Sequence, residues 1–171
     1  TVYIGSTSGR FYALDVSNGG QRWVFPTDGS TAWAFTGAAA LSPDGQRVYV
    51  GNEDMHARAF QADNGSLLWD KKLLGVGMRA VHPVVADNGN VVIFQTTKAG
   101  MQSYLPTEDY PKTSLDANPA STWNSYYQRF PERRASFFLN AGTGNELWDT
   151  ATERFVPLPL PYWGMLAPVL D

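Results

Sequence analysis

An all-β fold is predicted for this chain, with four-stranded antiparallel sheets arranged as the blades of a β-propeller. Three observations predict it. A glycine followed four residues later by a tryptophan ends three stretches, at Gly19 and Trp23, Gly65 and Trp69, and Gly144 and Trp148. Trp23 and Trp69 stand 46 residues apart, and Val2-Tyr3-Ile4-Gly5 recurs at the same interval as Val48-Tyr49-Val50-Gly51. Short β-branched and aromatic runs alternate with Gly-, Asn- and Asp-rich turns, and no window of about 11 residues or more carries a helical period. A repeat of this kind means that one supersecondary unit was copied and that its neighbours bury its apolar faces.

The second copy defines the unit. Residues 36–41 form a small-residue and apolar strand, Pro43-Asp44-Gly45 a turn, and residues 47–50 a β-branched and aromatic strand. Residues 57–61 follow, then the turn Asp63-Asn64-Gly65, then residues 67–71. Asn-Gly and Asp-Gly pairs suit tight hairpins, where type I′ turns need positive φ at both central residues. Each tryptophan is expected to open the fourth, outer strand and to cover the next sheet, a burial worth ~3 kcal/mol.

The third copy is longer. Ala86-Asp87-Asn88-Gly89 answers to Ser42-Pro43-Asp44-Gly45, but Trp148 lies 79 residues after Trp69. About 35 extra residues therefore sit between Gln95 and Ser136, and residues 98–135 are read as an insertion. The units run over about 1–30, 31–76 and 77–156, and residues 164–171 resemble the first strand of a further one. Three blade equivalents do not close a ring, since propellers take four to eight. The chain is expected to belong to a larger propeller of seven or eight blades, or to close with another chain.

Bulk properties narrow the function classes. With 16 acidic and 13 basic residues spread over 171, the chain has no field for a polyanion, which excludes nucleic acid. It has no cysteine, hence no disulfide, thiolate nucleophile or cysteine-based metal site. No apolar run approaches the ~20 residues of a membrane span, and the N-terminus reads as a strand rather than a signal peptide.

The pattern Ala-x-Asp-x-x-(Thr or Asn)-Gly-x-x-x-Trp resembles the tryptophan-docking motif of the quinoprotein (PQQ-dependent) dehydrogenase propellers. Ala13, Asp15, Asn18, Gly19 and Trp23 fit it, as do Ala59, Asn64, Gly65 and Trp69 with Gln61 for Asp. Thr143, Gly144 and Trp148 keep its second half, with Phe138 and Asn140 for Ala and Asp. In the enzymes, the resemblance implies PQQ on the propeller axis, Ca²⁺ held by acidic and amide side chains, an aspartate base and usually a vicinal cysteine pair. The cysteine pair cannot exist here, and no residue matches the calcium ligands or the base. Similar repeats also build non-catalytic propellers of the outer-membrane β-barrel assembly machinery. The resemblance thus implies a periplasmic or cell-surface scaffold or binding module without a cofactor. The alternative is part of a PQQ- and Ca²⁺-dependent dehydrogenase oxidising alcohols or sugars.

The insertion supplies the candidate contact residues: Tyr104, Tyr110, Trp123, Tyr126, Tyr127, Arg129, Arg133 and Arg134. Its prolines, Pro106, Pro111, Pro119 and Pro131, predict an irregular loop. Two readings stand, a recognition loop for a protein or glycan partner, or a loop folded back over its own blade. Residues 157–163 read as an extended connection, and Trp33 and Trp163 precede first strands, near the axial mouth. His56 and His82 lie in different strands and make no zinc site alone. Asp44, Asp63, Asp87 and Asn88 fall in separate turns, and Asn64-Gly65-Ser66, although a formal glycosylation acceptor, is repeat-turn sequence.

Overall fold

The computed structural model describes residues 1–30, 32–75, 77–79, 81–96 and 120–157, and these form three antiparallel sheets and one α-helix. Strands β1 (Val2–Gly5), β2 (Phe11–Leu14) and β3 (Gln21–Phe25) make the first sheet. The second has four strands: β4 (Ala40–Leu41), β5 (Arg47–Gly51), β6 (His56–Gln61) and β7 (Leu67–Lys72). The third joins β8 (Val84–Ala86), β9 (Val91–Gln95) and β10 (Ser136–Asn140). Every strand pairs with its sequence neighbour, the up-and-down order of a propeller blade.

One hairpin recurs in all three sheets. The Gly19 N–H donates to Asp15 O, Gly65 to Gln61 O and Gly144 to Asn140 O, at 2.8, 2.9 and 2.8 Å. The three glycines take φ of +71°, +75° and +71°. Asn18 and Asn64 do not adopt positive φ, so the Asn-Gly pairs do not build type I′ turns. The loop is longer than two residues and needs a single left-handed position, which glycine fills without a Cβ penalty. The preceding residue serves through its side chain instead. Asn18 Oδ1 accepts from Gly20 N–H, Asn64 Oδ1 from Ser66 N–H and Thr143 Oγ1 from Asn145 N–H. A register shift follows at Ala13/Leu14 and again at Ala59/Phe60.

The core sits between sheets. Phe11, Ala13, Trp23, Phe35, Val48, Val50 and Phe60 form a cluster joining the first sheet to the second. Tyr49, Ala57, Ala59, Trp69, Val92, Phe94, Phe137 and Leu139 belong to a second cluster joining the second sheet to the third. Alternate residues of β5 thus enter opposite clusters, with Val48 and Val50 on one side and Tyr49 on the other. Both faces of the middle sheet are buried, which is why β5 reads as a continuous apolar run.

Three expectations need correction. Residues 120–129 form a helix, α1 (Ala120–Arg129), followed by a 3-10 turn at Pro131–Arg133, where an irregular loop was predicted. The third sheet has three strands among the described residues, its fourth being reduced to a bridge between Leu139 and Glu146. Trp23 and Trp69 stand third in β3 and β7 rather than opening them. Residues 98–119 and the expected strand at 164–171 lie outside the described residues.

Candidate functional site: the loop-bearing end and its insertion

Antiparallel order sends two kinds of connection to the same end of every sheet. These are the links between second and third strands and the links from one sheet to the next. The tight hairpins lie at the other end. At the loop-bearing end the links are tied to one another. Glu53 N–H donates to Ala34 O at 2.9 Å, Asn52 Nδ2 to Trp33 O at 3.3 Å and Leu73 N–H to Met55 O at 2.7 Å. Ala38 N–H donates to His82 Nδ1 at 2.8 Å, and Thr96 Oγ1 to Leu74 O at 3.1 Å. Trp33, held through its backbone, leaves its side chain 67% exposed there, beside a two-membered ion pair of Glu53 with Arg79.

Beneath this end a buried cation braces the middle sheet. Arg58 on β6 donates through Nε to Asp70 Oδ2 at 2.8 Å and through Nη1 to Asn52 Oδ1 at 2.8 Å. Its guanidinium also lies 5.4 Å from the Phe25 ring of the first sheet. Asp70 further pairs with His56 Nδ1. Both histidines are thus hydrogen-bonded within the fold. Among the described residues, no group of three or more His, Asp or Glu side chains could hold a metal ion. The turn aspartates have local partners. Hydrogen bonds from the Ser17 hydroxyl to Asp15, Ser42 to Asp44 and Thr152 to Asp149 hold these carboxyls below their ordinary value.

The motif tryptophans reach from one sheet to the next hairpin. Trp23 Nε1 donates to Ala62 O and Trp69 Nε1 to Ala141 O, both at 3.0 Å. Gly65 lies flat under the Trp23 ring and Gly144 under the Trp69 ring; an added Cβ would stand 2.6 and 2.8 Å from the ring carbons. Ala13 and Ala59, directly opposite these tryptophans on the paired strand, are fully buried and leave room for the indoles. Asp15 accepts from Ser17 N–H and stiffens the first hairpin. At Gly19 the matching space is open, with nothing within 4 Å of a built Cβ. Trp148 has a different partner, Asn124 Oδ1 of α1, at 2.9 Å.

The insertion residues divide sharply. Trp123, Tyr126 and Tyr127 are buried and form a small core with Val156, packed by Phe130 and Trp148. Arg134 is also buried, ion-paired with Glu146 and placed over the Trp148 and Phe137 rings. Arg133 donates to Tyr126 Oη at 2.6 Å. Only Arg129 keeps an exposed side chain on the outer face of α1, beside Gln128 and Ser125. Tyr104 and Tyr110 lie outside the described residues, as do Trp163 and most of the proline-rich segment. The folded-back reading of the insertion therefore describes its second half. Sequence spacing held a signal for it, since Trp123, Tyr126, Tyr127 and Phe130 repeat at i, i+3, i+4 and i+7.

No helix among the described residues is long and apolar enough to cross a membrane. No curated protein matches the chain. Among solved structures, BamB from Moraxella catarrhalis is similar, with 15% identity and a TM-score of 0.50 over 85% of this chain and 31% of its own. The dihydro-heme d1 dehydrogenase NirN in complex with DHE is similar at 18% identity and a TM-score of 0.53, over 85% of this chain and 23% of its own. At such identities the likeness is one of fold, and the chain spans less than a third of either protein. A PQQ-like family model, described as outer membrane protein assembly factor BamB, matches residues 1–154. The chain belongs to this family of PQQ-like β-propeller proteins.

Proposed function

We propose that the chain is the section of a scaffold propeller that presents its loop-bearing end to a protein partner. One observation carries the reading: that end is a hydrogen-bonded platform which leaves the Trp33 side chain 67% exposed. A rigid base under an amphipathic ring suits protein recognition, because little entropy is lost when the partner arrives. The insertion leaves the third sheet after β9 at that end, and its helix α1 adds the exposed Arg129. The family description, an outer-membrane assembly factor, supports a periplasmic site of action and a protein partner. Trp23 and Trp69 serve this role as struts that fix one sheet against the next.

The test uses the full-length protein in its own cell envelope. Trp33→Ser and Arg129→Glu should abolish a chemical cross-link to a partner while the circular dichroism stays unchanged. Retention of the cross-link in the folded double variant sinks the proposal. The alternative, a PQQ- and Ca²⁺-dependent dehydrogenase, predicts a quinone absorbance band on reconstitution and Ca²⁺-dependent dye reduction with alcohols or aldoses. A colourless, calcium-indifferent protein disposes of it.

A further inference from the structure

We propose that α1 is a built-in substitute for a following blade, closing the outer face of the third sheet. The two earlier tryptophans set the comparison. Trp23 and Trp69 each donate to a backbone carbonyl of the next hairpin and rest on its glycine. Trp148 occupies the same place in the third copy but donates to the side-chain carbonyl of Asn124, from the insertion of its own unit. The same amide holds the strand from the other side, since Asn124 Nδ2 donates to Thr150 O at 3.0 Å. In place of a glycine, the Trp148 ring meets the Arg134 guanidinium, 4.8 Å from its centroid, and the aromatic cluster of α1.

Burial at the two ends of the stack says the same. The face of the first sheet turned away from the second leaves Val2 and Ile4 at 44% and 50% exposed. The face of the third sheet turned away from the second carries Val91 and Ile93, which are only 3% and 5% exposed. On that face Phe138, paired with Ile93, packs on Phe155, and Trp148 packs on α1. The outer face of the third sheet is thus largely buried within the chain. The closing helix turns Trp123, Tyr126 and Tyr127 inward and Ser125, Gln128 and Arg129 outward. A polar outer face keeps that side of the helix hydrated. Any sheet that follows in a longer chain then meets the third across a polar helix, without an indole-to-carbonyl contact from Trp148.

The indole N–H groups of the full-length protein give the test by hydrogen exchange in ¹⁵N spectra, assigned by single Trp→Phe variants. Asn124→Leu removes the acceptor. It should speed exchange of the Trp148 indole about tenfold, the factor matching one buried hydrogen bond, and leave Trp23 and Trp69 unchanged. Asn124→Asp keeps an acceptor and should retain most of the protection. Wild-type exchange at Trp148 in the leucine variant would overturn the proposal, because another group, such as a following blade, would then hold the indole. If the leucine variant fails to fold, the aspartate variant decides: fast exchange at its Trp148 refutes the Asn124 contact.

Discussion

Gly65→Ala and Gly19→Ala form a matched pair that separates the strain of a left-handed backbone from the pressure of an indole. Both glycines occupy the same hairpin position, with φ of +75° and +71°, so an alanine pays the same conformational cost at either site. That cost is ~1 kcal/mol. The surroundings differ. The new Cβ at position 65 would stand 2.6 Å from Cδ2 and 2.8 Å from Cε3 of Trp23, whereas position 19 offers open space. Contacts that short cannot persist, and the ring cannot retreat without breaking its 3.0 Å bond to Ala62 O. Overpacking adds ~1–3 kcal/mol, so Gly65→Ala should cost about 3 kcal/mol against about 1 for Gly19→Ala. For a domain of this size the thermal midpoints should fall by ~6–12 °C and ~2–4 °C. Gly144→Ala, 2.8 Å from Trp69, should behave like Gly65→Ala. Urea titrations of the 171-residue chain, in which no preceding sheet covers Gly19, followed by tryptophan fluorescence give the three free energies. Equal losses at positions 19 and 65 would refute the seating of Trp23 on its neighbour's hairpin.

Other perturbations follow from the same contacts. Trp23→Phe keeps most of the apolar area but removes one of two donors to the Ala62 carbonyl, which the Tyr3 hydroxyl still holds at 2.9 Å, and should cost about 1 kcal/mol in the same titration. Arg58→Met should cost ~3 kcal/mol, because Asn52 and Asp70 lose their shared donor; a neutral result would mean that the apolar side chain packs as well as the ion pairs. Asp15, Asp44 and Asp149 have folded-state values below their ordinary 3.8, so their contribution is present above that pH and fades as pH falls through the depressed values. The triple alanine variant should therefore lose less stability than wild type between about pH 5 and pH 2, read as the pH slope of the thermal midpoint. Trp33→Ser should leave the midpoint within about 2 °C, since its side chain is largely exposed.

The fold was legible where chemistry repeats. Gly19, Gly65 and Gly144 need one backbone conformation that few residues tolerate, and the tryptophans four places on mark where the next sheet must lie. β5 was readable as a strand from its β-branched and aromatic run. The helix was not read, for physical reasons. α1 is ten residues long, under three full turns, and its core face is built of Trp and Tyr, which have only middling helix propensity. Prolines at 119 and 131 bracket it and gave the segment the look of a loop. The candidate site was legible only in outline. Aromatic density marked the insertion, but composition does not say which way a ring points, and Trp123, Tyr126 and Tyr127 point inward. Trp33, read as preceding a first strand near the axial mouth, is exposed at the loop-bearing end.

The departures of the third copy from the motif explain one another. Ala13 and Ala59 stand directly across from Trp23 and Trp69, where Cβ atoms of paired residues approach within ~5 Å. The same position in the third copy is Phe138, and a phenyl ring there competes with an indole for one patch of sheet. The ladder accordingly stops at the Leu139–Glu146 bridge, and Phe138 finds Phe155 instead. Freed from the ladder, Trp148 leaves its strand's regular path and meets Asn124. Arg134 then fills the gap between Glu146 and the indole, supplying charge to one and a cation to the face of the other. Phenylalanine in place of alanine, the fourth strand reduced to a bridge and the helix against Trp148 therefore occur together in the third copy.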